Sequence, residues 1–178
     1  MAKANSCKLC LFSEYPVESL YYPYARFKLD MEGIVKIAIG SDERTHLTDL
    51  LIEELEKRGH EVIPFGSLNL QGSESERTLQ WAEVGRHVGE VVSRGDCEQG
   101  VVCCWTGTGV SIAANKVQGI RAALCADAAT ADGARRWNDA NILAISLRLV
   151  SDQIAREILD AWFRTSFDEA ERINVERC

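Results

Sequence analysis

The sequence predicts an α/β fold, a Rossmann-like three-layer αβα sandwich with a five-stranded parallel sheet. Two observations lead there. Apolar runs of strand length alternate with amphipathic stretches of helix length. The runs carry few polar positions, which suits strands covered on both faces.

Each element has its own signal. Val35 to Gly40 is a short apolar run closed by glycine and reads as the first strand. From about residue 45 to 58, Leu47, Leu50, Leu51 and Leu55 recur at helical spacing, with Gly59 as the stop. Glu61 to Phe65 is the second strand, placed near an edge because Pro64 has no N–H to give a neighbour. Gln71 to Glu76 reads as a polar loop, and roughly 79 to 93 as an amphipathic helix. Gly100 to Trp105 is the third strand, followed by a glycine-rich turn and a short helix through Asn115 that starts near Ser111. Arg121 to Cys125 is the fourth strand, about 128 to 137 a helix, and Ile142 to Ser146 the fifth strand. Asp152 to Arg164 closes the pattern as a helix with Ile154, Ile158, Leu159 and Trp162 inward. Residues 33–178 form this domain. Residues 1–32, which hold all four tyrosines, are an N-terminal extension without an assigned role.

Composition narrows the function classes. The chain has 178 residues, 27 acidic against 20 basic, and a formal charge of -7. Without a Lys/Arg run it is ill suited to nucleic acid or an anionic membrane. No stretch approaches the roughly 20 apolar residues of a membrane span, and charges scattered through the first thirty residues argue against a signal peptide. Seven irregularly spaced cysteines point to reduced thiols in a cytoplasm, not to a disulfide framework.

Chemistry in such folds sits at the carboxyl ends of the strands. The richest stretch is Cys104-Trp105-Thr106-Gly107-Thr108-Gly109-Val110-Ser111. Glycines let several N–H groups converge, and a following helix adds unpaired donors. Such a nest suits a phosphate or the oxyanion of an enediolate. A cysteine beside it is favoured as thiolate and able to take a proton alpha to a carbonyl. Cys103 and Cys104 face opposite sides of the strand, so Cys104, nearer the turn, is the candidate and Cys103 a core residue. The plainer reading is a tight turn beside a small buried hydrophobe. A dinucleotide fingerprint is incomplete: Gly107 and Gly109 fit and Asp127 lies twenty residues after Gly107, but Ile112 stands where the third glycine belongs. Cys7 and Cys10 form a lone C-x-x-C without a second ligand pair. His46, His60 and His87 fall on helices or their ends, as surface or capping residues.

Thr106 to Lys116, then Gly119 to Cys125, with Asn138-Asp139-Ala140-Asn141 downstream, resembles the sugar-phosphate isomerases that include type B ribose-5-phosphate isomerase and the galactose-6-phosphate isomerase subunits. The resemblance runs from about residue 33 to 165. It implies a Rossmann-like fold, a homodimer or dimer of dimers with each site shared between subunits, and no metal or nucleotide cofactor. It implies Cys104 as the base moving a proton between C1 and C2 through an enediol. Thr106, Gly107, Thr108 and Gly109 then hold the enediolate oxygen, with Ser111 beside them. Asp42 matches an acid near the sugar hydroxyls, Asn138 an asparagine reaching in from the partner, and Arg148 a phosphate-binding arginine.

The departures cluster on the substrate side. Glu43 and Trp137 stand where the family has histidines, the latter assigned to opening the sugar ring. Trp105 replaces a glycine, and Gln80-Trp81-Ala82 an Asp-Tyr-Pro turn. Glu169-Ala170-Glu171-Arg172 replaces a Gly-Gly-Arg-His stretch, leaving Arg172 to help grip phosphate. The expectation is an aldose–ketose isomerase for a small sugar or sugar phosphate other than ribose 5-phosphate. Its rivals are a catalytically silent sugar- or phosphate-binding module and one subunit of a galactose-6-phosphate-type heteromeric isomerase.

Overall fold

The computed structural model describes residues 35–177; the expectations for residues 1–32, including the Cys7/Cys10 pair, lie outside them. Five parallel strands form one sheet: β1 (Lys36–Ser41), β2 (Glu61–Gly66), β3 (Gln99–Cys104), β4 (Ala122–Leu124) and β5 (Ile142–Ser146). Their spatial order is β2-β1-β3-β5-β4. Pro64 therefore lies on an edge strand, where a missing N–H costs the sheet little.

Between the strands run α1 (His46–Lys57), α2 (Glu74–Arg77), α3 (Trp81–Ser93), α4 (Thr108–Ala114), α5 (Ala128–Asn138) and α6 (Asp152–Arg164). A 3-10 turn (Glu169–Glu171) and α7 (Arg172–Val175) follow. Strand residues alternate between two cores. Ile37, Ile39, Val101, Cys103, Leu143 and Ile145 pack under α1, α5 and α6 with Leu51, Leu55, Ile158 and Trp162. Ala38, Val102, Cys104, Ile142 and Ala144 pack under α3 and α4 with Val88, Val92, Val110 and Ala114. Both faces of the sheet are covered, so its strands are apolar almost throughout.

Three sequence expectations shift. The stretch read as a polar loop ends in the single-turn helix α2, because the Ser73 hydroxyl accepts the Glu76 N–H at 3.3 Å and caps it. The short helix after β3 starts at Thr108, three residues before Ser111. Gly107 takes φ 73 as its N-cap, which turns the chain at once. Trp105 lies in that turn and not in β3.

Candidate active site

The strand order sets the position of the site. From β1 the chain passes to β2 on one side and then returns to β3 on the other, so the carboxyl ends of β1 and β3 flank the crevice where order reverses. Ser41 is in register with Cys103. The next residue on each strand, Asp42 and Cys104, therefore stands at the lip of this crevice. The Ser41 hydroxyl donates to the Glu43 carbonyl at 2.7 Å and accepts the Glu43 N–H at 3.2 Å, fixing the turn that carries Asp42. One Asp42 carboxylate oxygen is out of water with no hydrogen-bond partner among the described residues. Burial raises this carboxyl above its ordinary value, with Glu43 adding to the effect.

Cys104 is 5% exposed, at the end of β3. Cys103 faces the other core, fully buried, and burial drives its thiol far up. It is a core residue, as its strand position predicts. After Cys104 the chain folds back: the Gly107 N–H reaches the Cys104 carbonyl at 3.2 Å. A side chain at Gly107 would meet Leu124 Cδ1 at 2.5 Å and the Ile145 backbone at 2.9 Å, so only glycine fits. The amides of Thr108, Gly109 and Val110 open α4 and have no acceptor within the helix. The Thr106 and Thr108 hydroxyls lie 2.7 Å apart beside them.

The turn after β5 closes against the same end. The Arg148 N–H donates to the Trp105 carbonyl and the Leu147 N–H to that of Cys104, each at 3.0 Å. The Ser146 hydroxyl also donates to the Trp105 carbonyl at 3.0 Å. These bonds pin the Trp105 backbone while 59% of the residue stays exposed. The structure thus gathers Asp42, Glu43, Cys104, Trp105, Thr106, Gly107, Thr108, Gly109 and Arg148 at one end of the sheet. The Arg148 guanidinium has no carboxylate partner among the described residues. Ser111 is one turn into α4 and its hydroxyl donates to the Ala122 carbonyl at 3.3 Å, toward β4.

Trp137, Asn138 and Arg172 are elsewhere. Asn138 ends α5 and precedes β5, whereas Cys104 is in register with the last residue of β5. The length of that strand, on the order of 15 Å, separates them within one chain. Trp137 and Asn138 line a cavity of about 470 Å³ with Arg121, Ala122, Asn174 and Val175. Its cations are engaged: Arg121 pairs with Asp139 at 2.7 Å, and nearby Arg172 pairs with Glu169.

Two features of this end of the sheet go beyond the sequence reading, which named Trp81 only within a departing turn and His46 only as a surface or capping residue. Trp81, the first residue of α3, packs its ring on Gly109. His46 opens α1 at this end, its ring 2.9 Å from Asp152 at the start of α6. A large aromatic at a helix start and a histidine four residues after Asp42 were the available signals. His60 is held against Phe163, and His87 against Phe65. Among the described residues no cluster of His, Cys, Asp or Glu is arranged to hold a metal, and no helix is long and apolar enough to cross a membrane.

Residues 37–177 match the family model described as Ribose/Galactose Isomerase. Ribose-5-phosphate isomerase B of Escherichia coli is 37% identical over 134 residues, 75% of this chain and 86% of that protein. A D-erythrulose-4-phosphate isomerase of Pectobacterium atrosepticum is 32% identical over 136 residues, 76% of this chain and 86% of that protein. The ribose-5-phosphate isomerase B structure from Clostridium thermocellum superposes with a TM-score of 0.70 at 40% identity, covering 80% of this chain and 93% of that one. The fold, the loop after β3 and these similarities together establish that the chain belongs to the ribose/galactose isomerase family, as one of its sugar-phosphate isomerases.

Proposed function

We propose that the chain interconverts an aldose and a ketose through an enediol, with Cys104 as the base. The juxtaposition of Asp42 and Cys104 beside the Thr106–Gly109 loop supports this reading more than any other observation. In the step, the Cys104 thiolate takes the proton from the carbon alpha to the substrate carbonyl. The electron pair moves into a carbon–carbon double bond, and charge builds on the former carbonyl oxygen. The loop amides and the Thr106 hydroxyl stabilise that oxygen. Asp42 handles the hydroxyl protons, and Cys104 returns its proton to the former carbonyl carbon. No oxidant or metal is needed to balance the reaction. A reducing cytoplasm keeps the thiol usable.

The substrate differs from ribose 5-phosphate. Trp105 and Trp137 present indoles where the family pattern has a glycine and a ring-opening imidazole. The cations near Trp137 are paired with Asp139 and Glu169. An open-chain substrate needs no ring-opening group. A four-carbon sugar esterified at its last hydroxyl is one, since it lacks the hydroxyl that would close a five-membered ring. The relative named as a D-erythrulose-4-phosphate isomerase is consistent with that class. Trp137, Asn138 and Arg172 serve the catalytic end of a second copy, in a homodimer or dimer of dimers.

Solvent deuterium exchange tests the reading. Four-carbon sugar phosphates are expected to take up deuterium, with Cys104→Ala slowing exchange at least a thousandfold, about 4 kcal/mol of barrier. No exchange with any sugar or sugar phosphate would remove the isomerase reading. Turnover of ribose 5-phosphate at a rate matching the best substrate would remove the altered specificity.

A further inference from the structure

We infer that Trp81 is a positioning residue for this reaction, holding the backbone of the Thr106–Gly109 loop in the geometry that receives the enediolate oxygen; the role rests on the isomerase reading above. The argument begins with spacing. Trp81, Gly85 and Gly89 recur every four residues and share one stripe of α3. Along that stripe α3 approaches α4 closely. A side chain at Gly85 would sit 2.6 Å from the Val110 carbonyl oxygen and 2.9 Å from Ala113 Cβ. At Gly89 it would sit 3.0 Å from Val117 Cγ2. The two helices start at the same end of the sheet, so the stripe brings Trp81 level with the first turn of α4.

There the pattern inverts, with the largest side chain on α3 facing a glycine on α4. A Cβ on Gly109 would lie 2.7 Å from Trp81 Cε3, 3.0 Å from Cδ2 and 3.2 Å from Cζ3. The indole fills the space that a side chain at 109 would need. The start of α3 is itself fixed, because the Gln80 N–H donates to the Glu83 carboxylate at 3.0 Å. On its other side the loop is backed by Leu124 and the Ile145–Ser146 backbone against Gly107. The loop is therefore clamped between β4/β5 and α3, where the indole that meets Gly109 belongs to a residue 45% exposed. Stabilisation of a developing oxyanion depends on donors already aimed before the reaction. Removing the ring lets the Gly107–Gly109 backbone relax without touching the base.

The test compares ligands that do and do not mimic the planar, charge-bearing enediolate oxygen. In the intact full-length protein, Trp81→Ala is expected to lower kcat at least tenfold with KM changed less than twofold, and Trp81→Phe to restore most of the rate. Affinity for a hydroxamate analogue of a four-carbon sugar phosphate should fall at least tenfold. Affinity for the corresponding polyol phosphate, which carries only a neutral hydroxyl on a tetrahedral carbon at that position, should hold. Gly109→Ala should be much less damaging in the Trp81→Ala background, where space for its methyl exists. Equal loss of both ligands, unchanged kcat with only a lowered Tm, or additive effects of the two substitutions would overturn the role. Failure of the isomerase reading appears separately, as absence of proton exchange in the unaltered protein, and takes this role with it.

Discussion

At the scale of single residues, the site is built from groups held in costly environments. Asp42 has a buried oxygen without a partner and a carboxyl raised by burial. Its folded value lies above its unfolded one, so its stabilising contribution is present at low pH and is lost as pH rises through the folded value. Asp42→Asn should therefore leave Tm unchanged in acid and raise it near neutrality, the difference opening as pH climbs past the ordinary value of 3.8. Turnover of the same variant should fall, by about tenfold or more. Thermal melts across pH, paired with exchange rates, check both. An unchanged Tm at neutral pH would mean that the carboxylate is well solvated. The other buried thiols are kept out of chemistry by the same physics: burial pushes Cys125 up to about 12.

At the scale of elements, helix ends and one cross-helix ion cluster keep the site's supports in place. Thr45 and Thr48 exchange side-chain and backbone hydrogen bonds in a capping box at the start of α1, just after the Asp42 turn. Midway along, the Glu54 carboxylate takes Arg58 at 2.7 Å and Arg156 of α6 at 3.2 Å. The hydrogen bond from Arg58, then that from Arg156, hold Glu54 below the ordinary value of 4.5 despite its burial. That contribution is complete above the unfolded value and disappears as pH falls through the depressed one. Glu54→Gln should cost about 1 to 2 kcal/mol at pH 7. The deficit should shrink toward zero in acid, read by urea midpoints at both pH values. A loss independent of pH would show that packing, not charge, is what the carboxylate supplies.

At the scale of the whole molecule, the two groups of residues proposed to share a site stand at opposite ends of the sheet of one chain. Cys104 and its loop stand at the carboxyl end, and Trp137, Asn138 and Arg172 near the other. Two copies related by a twofold axis can bring unlike halves together twice. Complementation tests this: inactive Cys104→Ala and Asn138→Ala proteins, unfolded and refolded together in equal amounts, should regain about a quarter of the native activity, because half the dimers are mixed and each holds one intact site. No recovery would confine the site to one chain. Much of this was legible beforehand. Apolar runs bounded by glycine marked β1 and β3 to within a residue, an uninterrupted apolar run marked β5 at its observed bounds, and helical spacing of apolar residues marked α6 at its own. The place of Cys104 was legible too, at a strand end meeting a glycine-rich turn. Trp81 was not, because its role depends on a missing Cβ 28 residues further along the chain. The sequence by itself determined the family and the layered sheet and singled out one glycine-rich loop, all encoded in local pattern. Only the tertiary structure decided that Asp42 lies beside Cys104, that an indole braces the loop, and that Trp137 and Asn138 stand a strand's length away. Those facts follow from strand order and helix packing, which join residues far apart in the chain and leave no periodic trace in it.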